Sequence, residues 1–370
     1  MPRIPVAAPD LRGNEEAYVV DAIRSSWISS TGAYVDRFES EFAAISGTRA
    51  VVSVANGTVA LHLALLALGV QPGDEVIVPS LTYIATANAV RYVGAEPVFV
   101  DVDADTWCMS PNAVRAAISE RTRGVIAVHL YGHPADMDAL NEIASGSGIW
   151  VLEDAAEAHG ARYRGRPAGS LGTIGSFSFY GNKILTSGEG GALTIDDPEL
   201  ESQIRLLRGQ GQDPKRRYFF PVVGYNYRLT NLACAILCAQ MERMAAFLAR
   251  RAAIAELYEN ELGKVPGIRL QPKAEWAEPA HWLISVLVDE SFPMSRDELA
   301  RVLDTAGIET RPFFYPLHRL PPYEGRPGSR RELPVTDRLA AQGMNLPTYT
   351  TMSDSDVLAV TGAISAAARQ

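Results

Sequence analysis

The chain has 370 residues, 47% hydrophobic and 21% charged, with 34 basic against 43 acidic side chains and a formal net charge of −9. That length and apolar content suit one large domain with a smaller companion and exclude a disordered chain. The acidic balance, with Lys215-Arg216-Arg217 as the longest basic cluster, excludes a nucleic-acid partner, which would need a basic face.

From residue 50 to 200, short apolar runs alternate with helix-length segments. The runs Ala50–Val54, Glu75–Val78, Pro97–Asp101, Gly124–Val128, Ile149–Glu153, Ser176–Phe179 and Ala192–Ile195 are predicted strands. Between them, Thr58–Leu68, Thr86–Val93, Pro111–Ile118 and Asp136–Ala144 are predicted helices. Continuously apolar strands separated by helices imply an α/β fold, with a mostly parallel seven-stranded sheet covered on both faces. A long helix is expected from Asn231 to about Leu262. After it come a strand over Trp282–Val288, a helix over Arg296–Ala306, a short strand around Thr310–Phe314 and a final helix over Asp354–Ala367. This later pattern is read as a smaller α+β domain, dividing the chain into 1–245 and 246–370.

The most apolar stretches, such as Val59–Val70, run about a dozen residues, short of the roughly 20 that a membrane-spanning helix needs. The N-terminal segment has no apolar signal core. No membrane association and a cytoplasmic location are therefore expected. Three cysteines are too few for a disulfide framework. Cys234 and Cys238, four apart in an apolar helical run, are read as buried thiols. His129 and His133 are interrupted by Gly132 and followed by Pro134, which denies them a helical zinc spacing, so no metal is expected.

Ligands of parallel sheets bind beyond the carboxyl ends of the strands, and three such ends carry chemistry. Val54-Ala55-Asn56-Gly57-Thr58 turns from a strand into a helix, where free amides and the dipole attract an anion; taken alone, the same residues read more simply as a plain N-cap by Asn56 or Thr58. Glu153-Asp154-Ala155-Ala156-Glu157 puts carboxylates at a buried strand end, where Asp154 needs a cation to stay ionised. A protonated ring nitrogen, a metal or an arginine would each serve. Ser178-Phe179-Tyr180-Gly181-Asn182-Lys183 brings one lysine to a strand end, where desolvation would free its amine for Schiff-base chemistry; a solvated loop lysine is the plainer reading of that residue taken alone. An anion cradle, a carboxylate and a lysine together are what pyridoxal phosphate requires. The glycines of Gly169-Ser170-Leu171-Gly172-Thr173-Ile174-Gly175 precede a strand instead of following one, which excludes a dinucleotide site.

These motifs, with Gly73-Asp74-Glu75-Val76-Ile77-Val78-Pro79, Gly188-Glu189-Gly190-Gly191 and Gly224-Tyr225-Asn226-Tyr227-Arg228, resemble the sugar aminotransferases of the DegT/DnrJ/StrS family over nearly the whole length. The resemblance implies a type I pyridoxal phosphate fold and pyridoxal 5'-phosphate as cofactor. It implies Lys183 as the cofactor-bearing and proton-moving lysine, and Asp154 as the carboxylate on the ring nitrogen. Gly57, Thr58 and Ser178 would hold the phosphate, and Tyr83 would stack on the ring. Glu157, where many relatives have Gln, would stand by the ring hydroxyl. Asn226 would reach the cofactor of a second subunit, implying a homodimer with shared sites. Trp27, Ser29, Arg311, Tyr315 and His318 are the substrate-side candidates.

The implied reaction passes an amino group from L-glutamate to a nucleotide-linked ketosugar. Phe179-Tyr180-Gly181-Asn182-Lys183 and the stretch from Leu206 to Asn226 are most similar to members that aminate C4 of GDP-4-keto-6-deoxymannose. A TDP- or UDP-ketosugar aminated at C3 or C4 is the alternative, and a regulatory protein without turnover is a third reading. Related dehydratases carry His where Lys183 stands, which argues against dehydration.

Overall fold

The computed structural model describes residues 3–369. Strands β1 (Ala50–Val54), β2 (Glu75–Pro79), β3 (Glu96–Val100), β4 (Thr122–Val128) and β5 (Trp150–Asp154) alternate with helices. A short hairpin follows, β6 (Arg162–Tyr163) with β7 (Arg166–Pro167), and then come β8 (Ile174–Ser178) and β9 (Gly191–Ile195). The seven expected strands form one sheet in the order β1-β9-β8-β5-β4-β2-β3. Only β9 runs against its neighbours β1 and β8; every other pair in this sheet is parallel.

Alternate residues of the same strands serve two cores, as the strand period of two requires. Val51, Ile77, Val125, Val151 and Phe177 pack on one face. Val52, Val76, Ile126, Leu152 and Leu193 pack on the other. Both faces are apolar because helices cover both.

A second sheet has the order β10-β12-β14-β13, from β10 (Ile268–Leu270), β12 (Ile284–Val288), β13 (Arg311–Pro312) and β14 (Gly343–Leu346), all antiparallel. Strand β11 (Ala277–Glu278) pairs instead with β6. Helices Met244–Leu262, Arg296–Thr305 and Asp354–Ala367 close a core with this second sheet around Ile254, Tyr258, Val286, Leu299 and Leu346. Ile4 exchanges hydrogen bonds with Gly307 and Glu309, so the N-terminal residues join this layer.

One expected element is corrected. The helix from Asn231 is not continuous: Asn231–Glu242 and Met244–Leu262 meet at a 61° bend. At the break Arg243 leaves helical geometry (φ −109°, ψ 2°), and its guanidinium is held at 3.0 Å by both oxygens of the buried Asp10. No single helix among the described residues is long and apolar enough to cross a membrane.

Candidate active site

Loops at the carboxyl ends of β1, β2, β5 and β8 enclose a cavity of about 430 Å³, closed on its far side by Trp282, Arg311 and Phe314. On the β1 side, Asn56 caps helix Gly57–Ala67 by accepting from the Val59 amide at 3.0 Å. The cap reading is therefore right for Asn56, yet it leaves the first-turn amides of Gly57 and Thr58 at the cavity wall, where the positive end of the helix favours an anion. A Cβ on Gly57 would come within 2.7 Å of Ser178 Cβ. Close approach of these two turns is what demands glycine there.

The other end of the cavity is anionic. Asp154 terminates β5 and is 6% exposed. Its Oδ2 accepts from Thr86 Oγ1 at 2.8 Å and its Oδ1 from the Ala156 amide at 3.3 Å. Burial pushes its carboxyl above the usual range, with these hydrogen bonds opposing. Glu157 accepts from the Tyr131 amide at 2.7 Å through Oε2, and its Oε1 lies 3.9 Å from Lys183 Nζ. Burial pushes Glu157 up to about 7, opposed by the Lys183 charge. The same desolvation holds the Lys183 ammonium below its ordinary range, against Glu157 and Asp154.

Two carboxylates around one lysine leave a negative excess in a desolvated site, which a further cation would balance. With the open helix terminus opposite, the residues fit a ligand that carries a cationic ring at one end and a phosphate at the other.

Of the residues singled out in the sequence, Gly57, Thr58, Tyr83, Asp154, Glu157, Ser178, Lys183 and Arg311 line this one cavity. Tyr83 stands 59% exposed at its rim, with its ring 5.9 Å from that of Phe314. Trp27, Ser29, Asn226 and Tyr315 are exposed and lie outside the lining. The segment carrying Trp27 and Ser29 is tied down by Asn231, which donates to the carbonyl of Trp27 at 2.6 Å through its side chain and to that of Ser29 through its backbone amide. His318 is buried outside the lining: its Nδ1 is 2.7 Å from Ser80 Oγ and its Nε2 is 3.5 Å from Asp337.

The glycine run after β7 has a structural purpose. Glu153, adjacent to Asp154 but facing the other side of β5, accepts from the amides of Gly169, Leu171 and Gly172 at 2.6–2.7 Å. His129 Nε2 completes the set at 3.0 Å. Thr86 and Trp282 are among the lining residues that the sequence did not reveal. Thr86 lies one helical turn beyond Tyr83, a spacing that could have flagged it. Trp282 carries no local signal, since it reaches Asn182 across a separation of 100 residues.

A model of the DegT/DnrJ/EryC1/StrS aminotransferase family matches residues 9–365. The GDP-perosamine synthase of Caulobacter vibrioides is 46% identical over 365 residues, covering 98% of either chain. Among solved structures, Streptomyces venezuelae DesV is 39% identical and superposes with a TM-score of 0.93, covering 100% of both chains. A Streptococcus pneumoniae sugar aminotransferase in its PLP form has a TM-score of 0.93 at 29% identity, covering 99% of each. The fold, the cavity and these matches agree, and the chain belongs to the DegT/DnrJ/EryC1/StrS aminotransferase family.

Proposed function

We propose that this protein is a pyridoxal phosphate-dependent nucleotide-sugar aminotransferase that moves the amino group of L-glutamate to C4 of GDP-4-keto-6-deoxymannose, giving GDP-perosamine. The observation that carries the chemistry is the buried Lys183 between Glu157 and Asp154, opposite an open helix N-terminus. Similarity to a GDP-perosamine synthase along 98% of the chain supports the substrate.

Bound pyridoxal phosphate supplies an electron-withdrawing ring that stabilises the carbanion formed when a substrate carbon loses its proton. Asp154 would hold a proton on the ring nitrogen, a cation that this buried carboxylate needs. The Gly57 and Thr58 amides with the Ser178 hydroxyl would hold the phosphate, Tyr83 would cover the ring, and Glu157 would face the ring hydroxyl. Lys183 Nζ, whose ammonium desolvation holds below its ordinary range, takes the proton from one carbon and returns it to the other. Arg311, on the cavity wall, binds the donor carboxylate or the sugar diphosphate. Trp27, Ser29, Tyr315 and His318 are assigned to the substrate side.

A homodimer with shared sites completes the reading. Asn226 lies outside its own chain's cavity, and Trp27, Ile28, Phe220 and Val223 leave apolar surface exposed, the kind of surface that marks a protein interface. A cytoplasmic location goes with a nucleotide-sugar substrate. Mass spectrometry of the products from GDP-, TDP- and UDP-linked 4-ketosugars with L-glutamate tests the assignment. Amination of the GDP sugar alone is expected, and preference for a TDP or UDP sugar would overturn the substrate.

A further inference from the structure

The ring of Trp282 stands against the reacting amine. Its centre is 3.9 Å from Lys183 Nζ, while Glu157 Oε1 is also 3.9 Å from that nitrogen. An ammonium over an aromatic face is attracted by the ring's quadrupole, best by tryptophan and best where water is excluded.

This contact is built from several directions. Trp282 Nε1 donates at 2.8 Å to the carbonyl of Asn182, the residue just before Lys183. The backbone of Trp282 is held by Arg251, whose Nη1 donates to the carbonyls of His281 and Trp282 at 3.2 and 2.9 Å. Arg251 is 3% exposed, and its hydrogen bonds go to carbonyl oxygens. Tyr131 stacks on Trp282 with ring centres 6.3 Å apart, and its amide holds Glu157. His281 adopts φ +50°, a left-handed conformation that a non-glycine residue keeps only where its surroundings impose it.

We propose that Trp282 and Glu157 form a dock for the released Lys183 side chain, ring face and carboxylate together holding the ammonium whenever Nζ is not bonded to the cofactor. This rests on the reading of Lys183 as the cofactor-bearing lysine. Trp282 would thus touch the reacting nitrogen itself. The titratable groups that face Nζ are Glu157, Asp154 and the buried His159, which desolvation keeps neutral. The dock opposes desolvation and retains the proton. Capture of pyridoxal phosphate needs the neutral amine: a bond forms from Nζ to the aldehyde carbon, the carbon–oxygen bond breaks, and the oxygen leaves as water with both amine protons.

The experiment uses the full chain freed of cofactor, followed by the initial rate at which added pyridoxal phosphate develops Schiff-base absorbance across a range of pH. Wild type is compared with Trp282→Leu, Trp282→Phe and Glu157→Gln. Loss of the ring face or of the carboxylate lowers the midpoint of the rate–pH profile by about half to one pH unit, and Trp282→Phe moves it less than Trp282→Leu. A merely structural role would lower the amount of cofactor captured at every pH without moving the midpoint. Should Trp282→Leu fail to fold, Trp282→Phe and Glu157→Gln decide the matter. Superimposable profiles, or an upward shift, overturn the dock while leaving the lysine assignment intact. A wild-type chain that develops no absorbance overturns both.

Discussion

Thr86 Oγ1 donates a 2.8 Å hydrogen bond to Asp154 Oδ2, joining the helix beyond Tyr83 to the end of β5. Both residues are buried, and the bond is one of the forces that hold the carboxylate charged against desolvation. Thr86→Val keeps the shape and removes the donor. A hydrogen bond to a charged group contributes about 1.5–3 kcal/mol, so kcat should fall by about tenfold or more, with KM for the ketosugar little changed and Thr86→Ser restoring most of the loss. Steady-state kinetics of the three proteins provide the check.

Glu157 makes stability depend on pH in a definite direction. Burial raises its carboxyl from 4.5 to about 7 in the folded chain, so the folded state binds that proton more tightly than the unfolded state. The resulting stabilisation is full below about 4.5 and is lost as pH rises to about 7. In the cofactor-free protein, the melting temperature of Glu157→Gln relative to wild type should therefore climb by a few degrees between pH 5 and pH 8. Scanning calorimetry at the two pH values tests the sign, and a falling difference would contradict it.

Gly57 and Gly146 make a matched pair of substitutions. An alanine Cβ at 57 meets Ser178 Cβ at 2.7 Å, whereas at 146, within helix Met137–Ser147, it meets nothing within 4 Å. Gly57→Ala should weaken pyridoxal phosphate binding by about tenfold or more through a displaced phosphate cradle, a loss of about 1.4 kcal/mol. Gly146→Ala should leave binding unchanged and stabilise the fold by about 0.5–1 kcal/mol. Equilibrium dialysis and urea unfolding measure the two effects.

Glu153 is a structural counterpart to Asp154. Its carboxylate accepts from three backbone amides and from His129. Glu153→Gln places an NH2 group among donors and removes the charge they share. Truncating one side of a buried charged network costs about 3–5 kcal/mol, and urea denaturation should show a loss of that order, with cofactor binding reduced only as far as the fold is.

The parallel sheet was legible because its strands are continuous apolar runs: Ala50–Val54 is both the predicted and the observed strand, and the helix Asp354–Ala367 likewise. Gly343–Leu346 has no strand pattern of its own and owes its extended form to pairing with Ile284–Val288. At the break, Arg243 is paired with Asp10, 233 residues away, a partner no local window contains. At the site, Asp154 could be read from its position at the end of β5, whereas Lys183, expected at a strand end, lies in the loop five residues beyond β8. The separate duties of Glu153 and Asp154 could not be read, since neighbouring residues of a strand face opposite sides and only the fold says which side holds the cavity. Trp282 was hidden for the same reason as Asp10: its contact with Lys183 exists only once a distant segment is folded over the sheet.

The most direct test of the account is the absorbance spectrum of the purified, cofactor-loaded protein, recorded before and after L-glutamate and again after GDP-4-keto-6-deoxymannose. A Schiff-base band on Lys183 should bleach with glutamate and return with the GDP sugar, while Lys183→Ala should show no such cycle. A band that is absent from the loaded wild type, or that persists unchanged through both additions, would contradict the assignment of Lys183 on which the account stands.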